Sequence, residues 1–229
     1  MNKFLISALA LLSLGATPTL AQTSLPVQNA DPSRNLPGLG GPIQMRGIPF
    51  NSNRLFGLPS RWADEQYRQY GLSVLALNRV LARGGPSGAA PADQALALQL
   101  FNRQALSWRF LESLGGQGLP TQSNVLNRLQ AEGLDLNSWQ ARVLALAAQL
   151  KGGSGWIIWE YNLLTGNTGL YAAQDDTDVR IASMPLLVMN LNQQTYQALN
   201  IDQESYTRLL LNNLNWESVS ARLNQFGLR

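Results

Sequence analysis

From Ser60 onward the chain carries a helical rhythm. Ala63, Tyr67, Tyr70, Val74, Leu77 and Leu81 recur at steps of four and three, which is one face of an amphipathic helix. Ser60 is in place to cap it, and Asp64 and Glu65 put negative charge near its N-terminal end. Gly84-Gly85-Pro86 should stop it. A second helix is expected from Pro91 to Leu114. Its apolar positions, among them Leu96, Leu98, Leu100, Phe101, Leu106 and Phe110, cover more than one stripe, so it reads as the central, most buried helix. Thr121 to Glu132 forms a third helix with Gly133 at its end, and a fourth starts at Asn137 and closes at Lys151-Gly152-Gly153.

The rhythm then changes. Trp156 to Leu164 is dense in aromatic and β-branched residues, Thr165-Gly166-Asn167-Thr168-Gly169 is turn chemistry, and Leu170-Tyr171-Ala172 follows. This predicts a β-hairpin, with a short helix from Ser154 as the competing reading. Val179 to Ala182 and Pro185 to Leu191 offer further strands, with Pro185 confined to a strand start or an edge. In the tail, Leu191-Asn192-Gln193-Gln194-Thr195-Tyr196 parallels Ile201-Asp202-Gln203-Glu204-Ser205-Tyr206 and Leu214-Asn215-Trp216-Glu217-Ser218-Val219. Each unit is a helix entry, with Asn192, Asp202 and Asn215 as N-caps. The fold class expected is a mainly α, multi-helix domain over residues 60–229 with a small β-hairpin or sheet insertion.

Residues 22–59 have no such period. Asp31-Pro32, Leu36-Pro37-Gly38, Gly40-Gly41-Pro42 and Ile48-Pro49 punctuate them into an extended or disordered leader. Ile43, Met45, Ile48, Phe50, Leu55 and Phe56 qualify that: either the leader is a plain spacer, or it lies in a groove of the folded body from about Ile43. Ahead of it, Lys3 precedes a twelve-residue apolar run from Phe4 to Gly15, and Thr19-Leu20-Ala21 places small residues at a cleavage site. This is a secretory signal peptide, 1–21, cleaved after Ala21, and it predicts a periplasmic or secreted protein. A membrane span needs about 20 apolar residues, and no later stretch supplies them.

Composition narrows the chemistry. Of 229 residues, 14% are charged, the net charge is +3, and there is no Cys and no His. No disulfide, thiol nucleophile, imidazole base or Cys/His metal ligand is available, and no cofactor is implied. No run of Lys or Arg marks a nucleic-acid surface. The catalytic vocabulary left is carboxylates and hydroxyls.

Three constellations remain. Trp156, Trp159 and Tyr161 beside Glu160 form a candidate ligand site, since flat rings next to a carboxylate suit stacking on a sugar; core packing is the reading these residues favour over it. Asp175, Asp176 and Asp178 form an oxygen-rich loop that is a candidate Ca²⁺ site, without the spacing of the twelve-residue Ca²⁺ loop, and otherwise a solvated turn. Glu160 with Asp175 or Asp176 would make a hydrolytic carboxylate pair. In the tail, Ala198 to Ile201 followed by Ser205 to Leu210 resembles a helix-turn-helix, with Asn200 at the left-handed position and Gln203, Arg208 and Asn212 on the reading face; Asp202 and Glu204 there would oppose phosphate. The function expected from these features is an exported, non-catalytic binding or envelope-associated protein, its partner an envelope glycan or another exported protein. The alternatives are a carboxylate-dependent glycan-active enzyme or sugar-binding module, and a DNA-binding tail.

Overall fold

The computed structural model of the chain describes residues 42–83, 91–180 and 182–227. The signal peptide, leader residues 22–41 and the Gly84-Gly85-Pro86 stop lie outside them. Among the described residues there are seven α-helices and a three-stranded antiparallel sheet. The mainly α fold with a small sheet is as expected.

Helices α1 (Ser60–Leu81) and α2 (Pro91–Glu112) run antiparallel. Trp62 meets Phe110 edge-on at one end, with ring centroids 6.2 Å apart, and Leu77 and Val80 pack on Ala97 and Leu100 at the other. Pro59, not Ser60, is the N-cap of α1; Ser60 already has helical geometry, so its hydroxyl caps nothing. Residues from 42 on lie along this hairpin. Asn78 brackets Ile43, accepting from its N–H at 2.7 Å and donating to its carbonyl at 2.9 Å, and the Tyr67 hydroxyl donates to the Arg46 carbonyl. The expectation that α2 is the most buried helix is overturned. Leu98 is 60% exposed and Leu96 and Phe101 are also exposed, because the N-terminal half of α2 packs on α1 along one side, and only its C-terminal half, through Leu106 and Phe110, also joins the main core against β3.

Helices α3 (Ser123–Ala131) and α4 (Leu136–Ala148) follow; Asp135, two residues before the Asn137 expected to open α4, caps it by accepting from the Ser138 N–H at 2.7 Å. The sheet has the order β2 (Thr168–Ala173), β1 (Gly155–Asn162), β3 (Ser183–Leu191). The hairpin reading holds. Val179 and Arg180 lie outside any strand, and Pro185 sits in edge strand β3 opposite Glu160, where β3 bulges by one residue, Leu186, against Trp159 and Glu160. Residues Trp156 to Glu160 are all buried, so the central strand is covered on both faces. Trp139 of α4, Trp159 of β1 and Trp216 pack edge-to-face with centroids 5.3–6.4 Å apart.

The tail forms α5 (Gln193–Ala198), α6 (Gln203–Asn212) and α7 (Trp216–Gln225), and all three expected caps are made: Asn192, Asp202 and Asn215 accept from the N–H groups of Gln194, Ser205 and Ser218. Asn200 has φ 56°. The chain after α2 closes on the tail backbone-to-backbone. The Gly116 N–H donates to the Asn213 carbonyl and the Asn215 N–H to the Ser113 carbonyl. A Cβ on Gly116 would lie 2.1 Å from the Leu214 carbonyl oxygen, so only glycine permits this approach. Among the described residues, no helix is long and apolar enough to cross a membrane.

Candidate functional site

A cavity of about 760 Å³ opens between α1, α2, the start of β1, the loop after β2, the end of β3 and α5. Its fixed point is Asp176, 4% exposed. One carboxylate oxygen accepts from the Trp156 indole N–H at 3.1 Å and the other from Arg103 Nε at 2.7 Å, while Asn102 donates to the Asp176 carbonyl. These bonds tie the loop after β2 to α2 and to the start of the central strand. A buried carboxylate is tolerable only when paired and hydrogen-bonded in this way.

The other acids at the cavity are also engaged. Glu65 takes both Nε and Nη2 of Arg68 at 2.7 Å and the Gln69 amide, and these bonds hold its carboxyl down at about 2. Asp175 accepts from the hydroxyl and the N–H of Thr177, which lowers its pKa. Apart from Arg61, what the cavity leaves unengaged is neutral. Gln66, on α1, is 7% exposed, lines the cavity, and has no hydrogen-bond partner among the described residues. Ser107 of α2, Asn190 of β3 and Gln194 of α5 line it too, and no protein group among the described residues bonds their side chains. Arg61 and Arg103 add two guanidinium groups.

Gln66 left one trace in the sequence. It falls within the apolar stripe of α1, between Ala63 and Tyr70, where a polar residue has no packing reason to be. The remaining cavity residues carried no such mark, since each is an ordinary polar position on its own element.

The sequence candidates fare differently. Trp156 is 6% exposed and Trp159 fully buried, so neither offers a face for stacking; both fill the core between sheet and helices. Tyr161 is half-buried and stacks on Phe226 at 4.6 Å. Glu160 is buried, with one oxygen receiving Arg180 Nη1 at 3.2 Å and the other without a partner. It does not line the cavity. Four residues of strand put its Cα about 13 Å from that of Trp156, which carries Asp176, so the proposed Glu160–Asp175/Asp176 pair is not assembled in one cleft. Beside Glu160, burial pushes the Tyr171 hydroxyl up to about 12. The loop acids diverge: Asp176 turns inward, Asp175 closes its own turn, and Asp178 accepts from the Gln174 N–H. Among the described residues, no group of three His, Cys, Asp or Glu could hold a metal ion. The helix-turn-helix reading fails on α6: Tyr206, Thr207, Leu210 and Leu211 are buried, and Arg208 is held by Glu204 at 2.7 Å.

No family model matches the chain. The chain is similar to a protein of Cupriavidus metallidurans named superoxide dismutase [Fe], at 22% identity over 193 residues, covering 78% of this chain and 95% of that protein. A similarity spanning nearly all of an enzyme overturns the expectation of a non-catalytic binding or envelope-associated protein. With the burial of the tryptophans and the packing of α6, it also removes the glycan and DNA alternatives.

Proposed function

We propose that this protein is an exported chain on an enzyme scaffold akin to that of the iron superoxide dismutase it resembles, and that it acts on a small polar substrate held in the cavity around Asp176. The observation that carries the reading is Gln66: a largely buried glutamine on the cavity wall whose amide makes no bond to any protein group among the described residues. Its amide keeps contact with solvent in the cavity, so a bound molecule would exchange a bond to water for one to itself, a net gain of about 0.5–1.5 kcal/mol. The similarity over most of an enzyme's length supports catalysis, and the cavity supports the place. The iron in that relative's name does not fit the residues present, whose free donors at the cavity are amides and hydroxyls. No step is routed through a metal.

Arg103 and Asp176 would act as a fixed polar pair at the wall, and Gln66, Ser107, Asn190 and Gln194 would orient the substrate. Export follows from the 1–21 signal pattern, and N-terminal sequencing of the secreted or periplasmic protein should begin at Gln22. The test of the site is a melting screen of small polar metabolites on the full chain and on Gln66→Leu, with hits followed for conversion by mass spectrometry. Saturation at about a hundred times Kd adds about 2.7 kcal/mol, a rise of about 5–10 °C for a domain this size. The expected hit raises the wild-type melting point, loses most of that rise in Gln66→Leu, and is converted. Hits that shift both proteins equally would sink the reading.

A further inference from the structure

We infer that this chain does not hold a redox metal, although it is similar to an iron enzyme along 95% of that enzyme's length. Iron sites in proteins are built from imidazole, thiolate and carboxylate, ligands that bring charge or strong σ-donation to offset the lost hydration of the ion. This chain has no histidine and no cysteine at any of its 229 positions. Carboxylates and tyrosine phenolates are then the anionic ligands left; no tyrosine lines the cavity, and its three carboxylates are each committed: Glu65 to Arg68 and Gln69, Asp176 to Arg103 and Trp156, Asp175 to Thr177.

The uncommitted cavity groups are the amides of Gln66, Asn190 and Gln194 and the Ser107 hydroxyl, which are neutral oxygens and weak ligands for iron. Arg103 lines the same space and already neutralises Asp176, so that carboxylate could bind an ion only by giving up its ion pair. Dismutation requires one superoxide to lose an electron to become O₂ and another to gain one, with two protons, to become H₂O₂. A store for that electron is a metal couple or a thiol, and this chain supplies ligands for neither. The protein should therefore not consume superoxide, and its cavity is a hydrogen-bonding site.

The experiment uses the full chain expressed with iron and with manganese supplementation. Metal content is read by mass spectrometry after desalting, and melting is followed during anaerobic addition of Fe²⁺ or Mn²⁺ alone. The expected result is under about a tenth of an ion per chain and no saturable rise in melting point. About one ion per chain surviving desalting, with a saturable rise, would overturn the inference. The two readings separate cleanly. Retained metal on a chain that still answers polar compounds through Gln66 defeats this inference and spares the substrate reading. A metal-free chain in which Gln66→Leu behaves as wild type does the reverse.

Discussion

Asp176→Asn tests whether the cavity wall is held as described. The carboxylate is 4% exposed and accepts two donors, Trp156 Nε1 at 3.1 Å and Arg103 Nε at 2.7 Å. An asparagine of the same shape offers one carbonyl oxygen and turns an NH₂ toward the second donor. One bond to a charged acceptor becomes a neutral one, a loss of about 1 kcal/mol, and one buried donor or amide is left unpaired, a loss of about 1–3 kcal/mol. Relief comes from the exposed side of the pair: the Arg103 side chain is 48% accessible, so its charge can be rehydrated when the anion is gone. The net expectation is a destabilisation of about 2–3 kcal/mol, or about 5–10 °C in melting temperature. Urea unfolding of the full chain, followed by tryptophan fluorescence and far-UV circular dichroism together, reads it directly. Arg103→Met should cost a similar amount, because it leaves the buried carboxylate with one donor. The double variant should cost about 1–2 kcal/mol less than the sum of the singles, since each removes the same contact. Asp176→Asn within about 0.5 kcal/mol of wild type, or strict additivity, would show that the bonds do not hold the loop.

Further consequences follow from other parts of the fold. Arg222 is buried, donates to the Leu186 carbonyl and to Glu112, and is pulled down to about 10 by burial; Arg222→Ala should lose about 2–3 kcal/mol in the same unfolding assay, with Glu112 kept from a larger penalty by Arg109. Burial raises the pKa of Tyr171 to about 12 and that of Tyr206 further still, so the folded state holds these protons more tightly than the unfolded chain. That contribution is complete below pH 10 and is lost as pH rises toward about 12. Absorbance at 295 nm should show late tyrosines that ionise only with unfolding, whereas reversible titration of all six near pH 10 would contradict the burial. Gly118 has φ +71° with the Asn212 backbone 2.7 Å from where a Cβ would sit, while Gly133 has φ +72° and open space. Gly118→Ala should therefore cost about 3 kcal/mol or more and Gly133→Ala about 1 kcal/mol, and equal costs would mean that the close approach to the tail is not needed.

What was legible in the sequence is what is decided locally. The caps at Asn192, Asp202 and Asn215 are bonds to N–H groups two or three residues on, so the residue type and its place before an apolar turn suffice. The α1 stripe and the β1–β2 hairpin rest on periodicity and turn chemistry, which are also local. What was hidden depends on partners far along the chain. Which side of α2 stays bare is set by α1, and the aromatic density of Trp156 and Trp159 reads the same whether the strand is central or at a surface. The strand proved central because β3 pairs on its far side and α4 and α7 bring Trp139 and Trp216 against it. The cavity is hidden most fully, since its unengaged groups come from α1, α2, β3 and α5, with more than 120 residues between Gln66 and Asn190 and no motif to connect them.

That dispersion has a functional consequence. A site assembled from regular elements moves only if those elements move. Here α1 and α2 are locked by Trp62 on Phe110, β3 by its pairing with β1, and α5 by the Asn192 cap and the Gln193 N–H bond to the Ser154 hydroxyl. The irregular wall, residues 174–178, is fixed at its start, its middle and its end: Gln174 bonds Lys151 and Ser154, Asp176 bonds α2 and Trp156, and Asp178 accepts from the Gln174 N–H. A ligand entering such a cavity orders little beyond itself, so the ordering cost that usually offsets contact energy is small. Selectivity then rests on whether its hydrogen-bonding groups match amides whose positions are already set. An ill-matched molecule leaves Gln66 unsatisfied and still loses its own water, a combined penalty of several kcal/mol. With neither thiol nor imidazole to do chemistry, discrimination by fixed neutral donors and acceptors is the property this cavity is built to deliver.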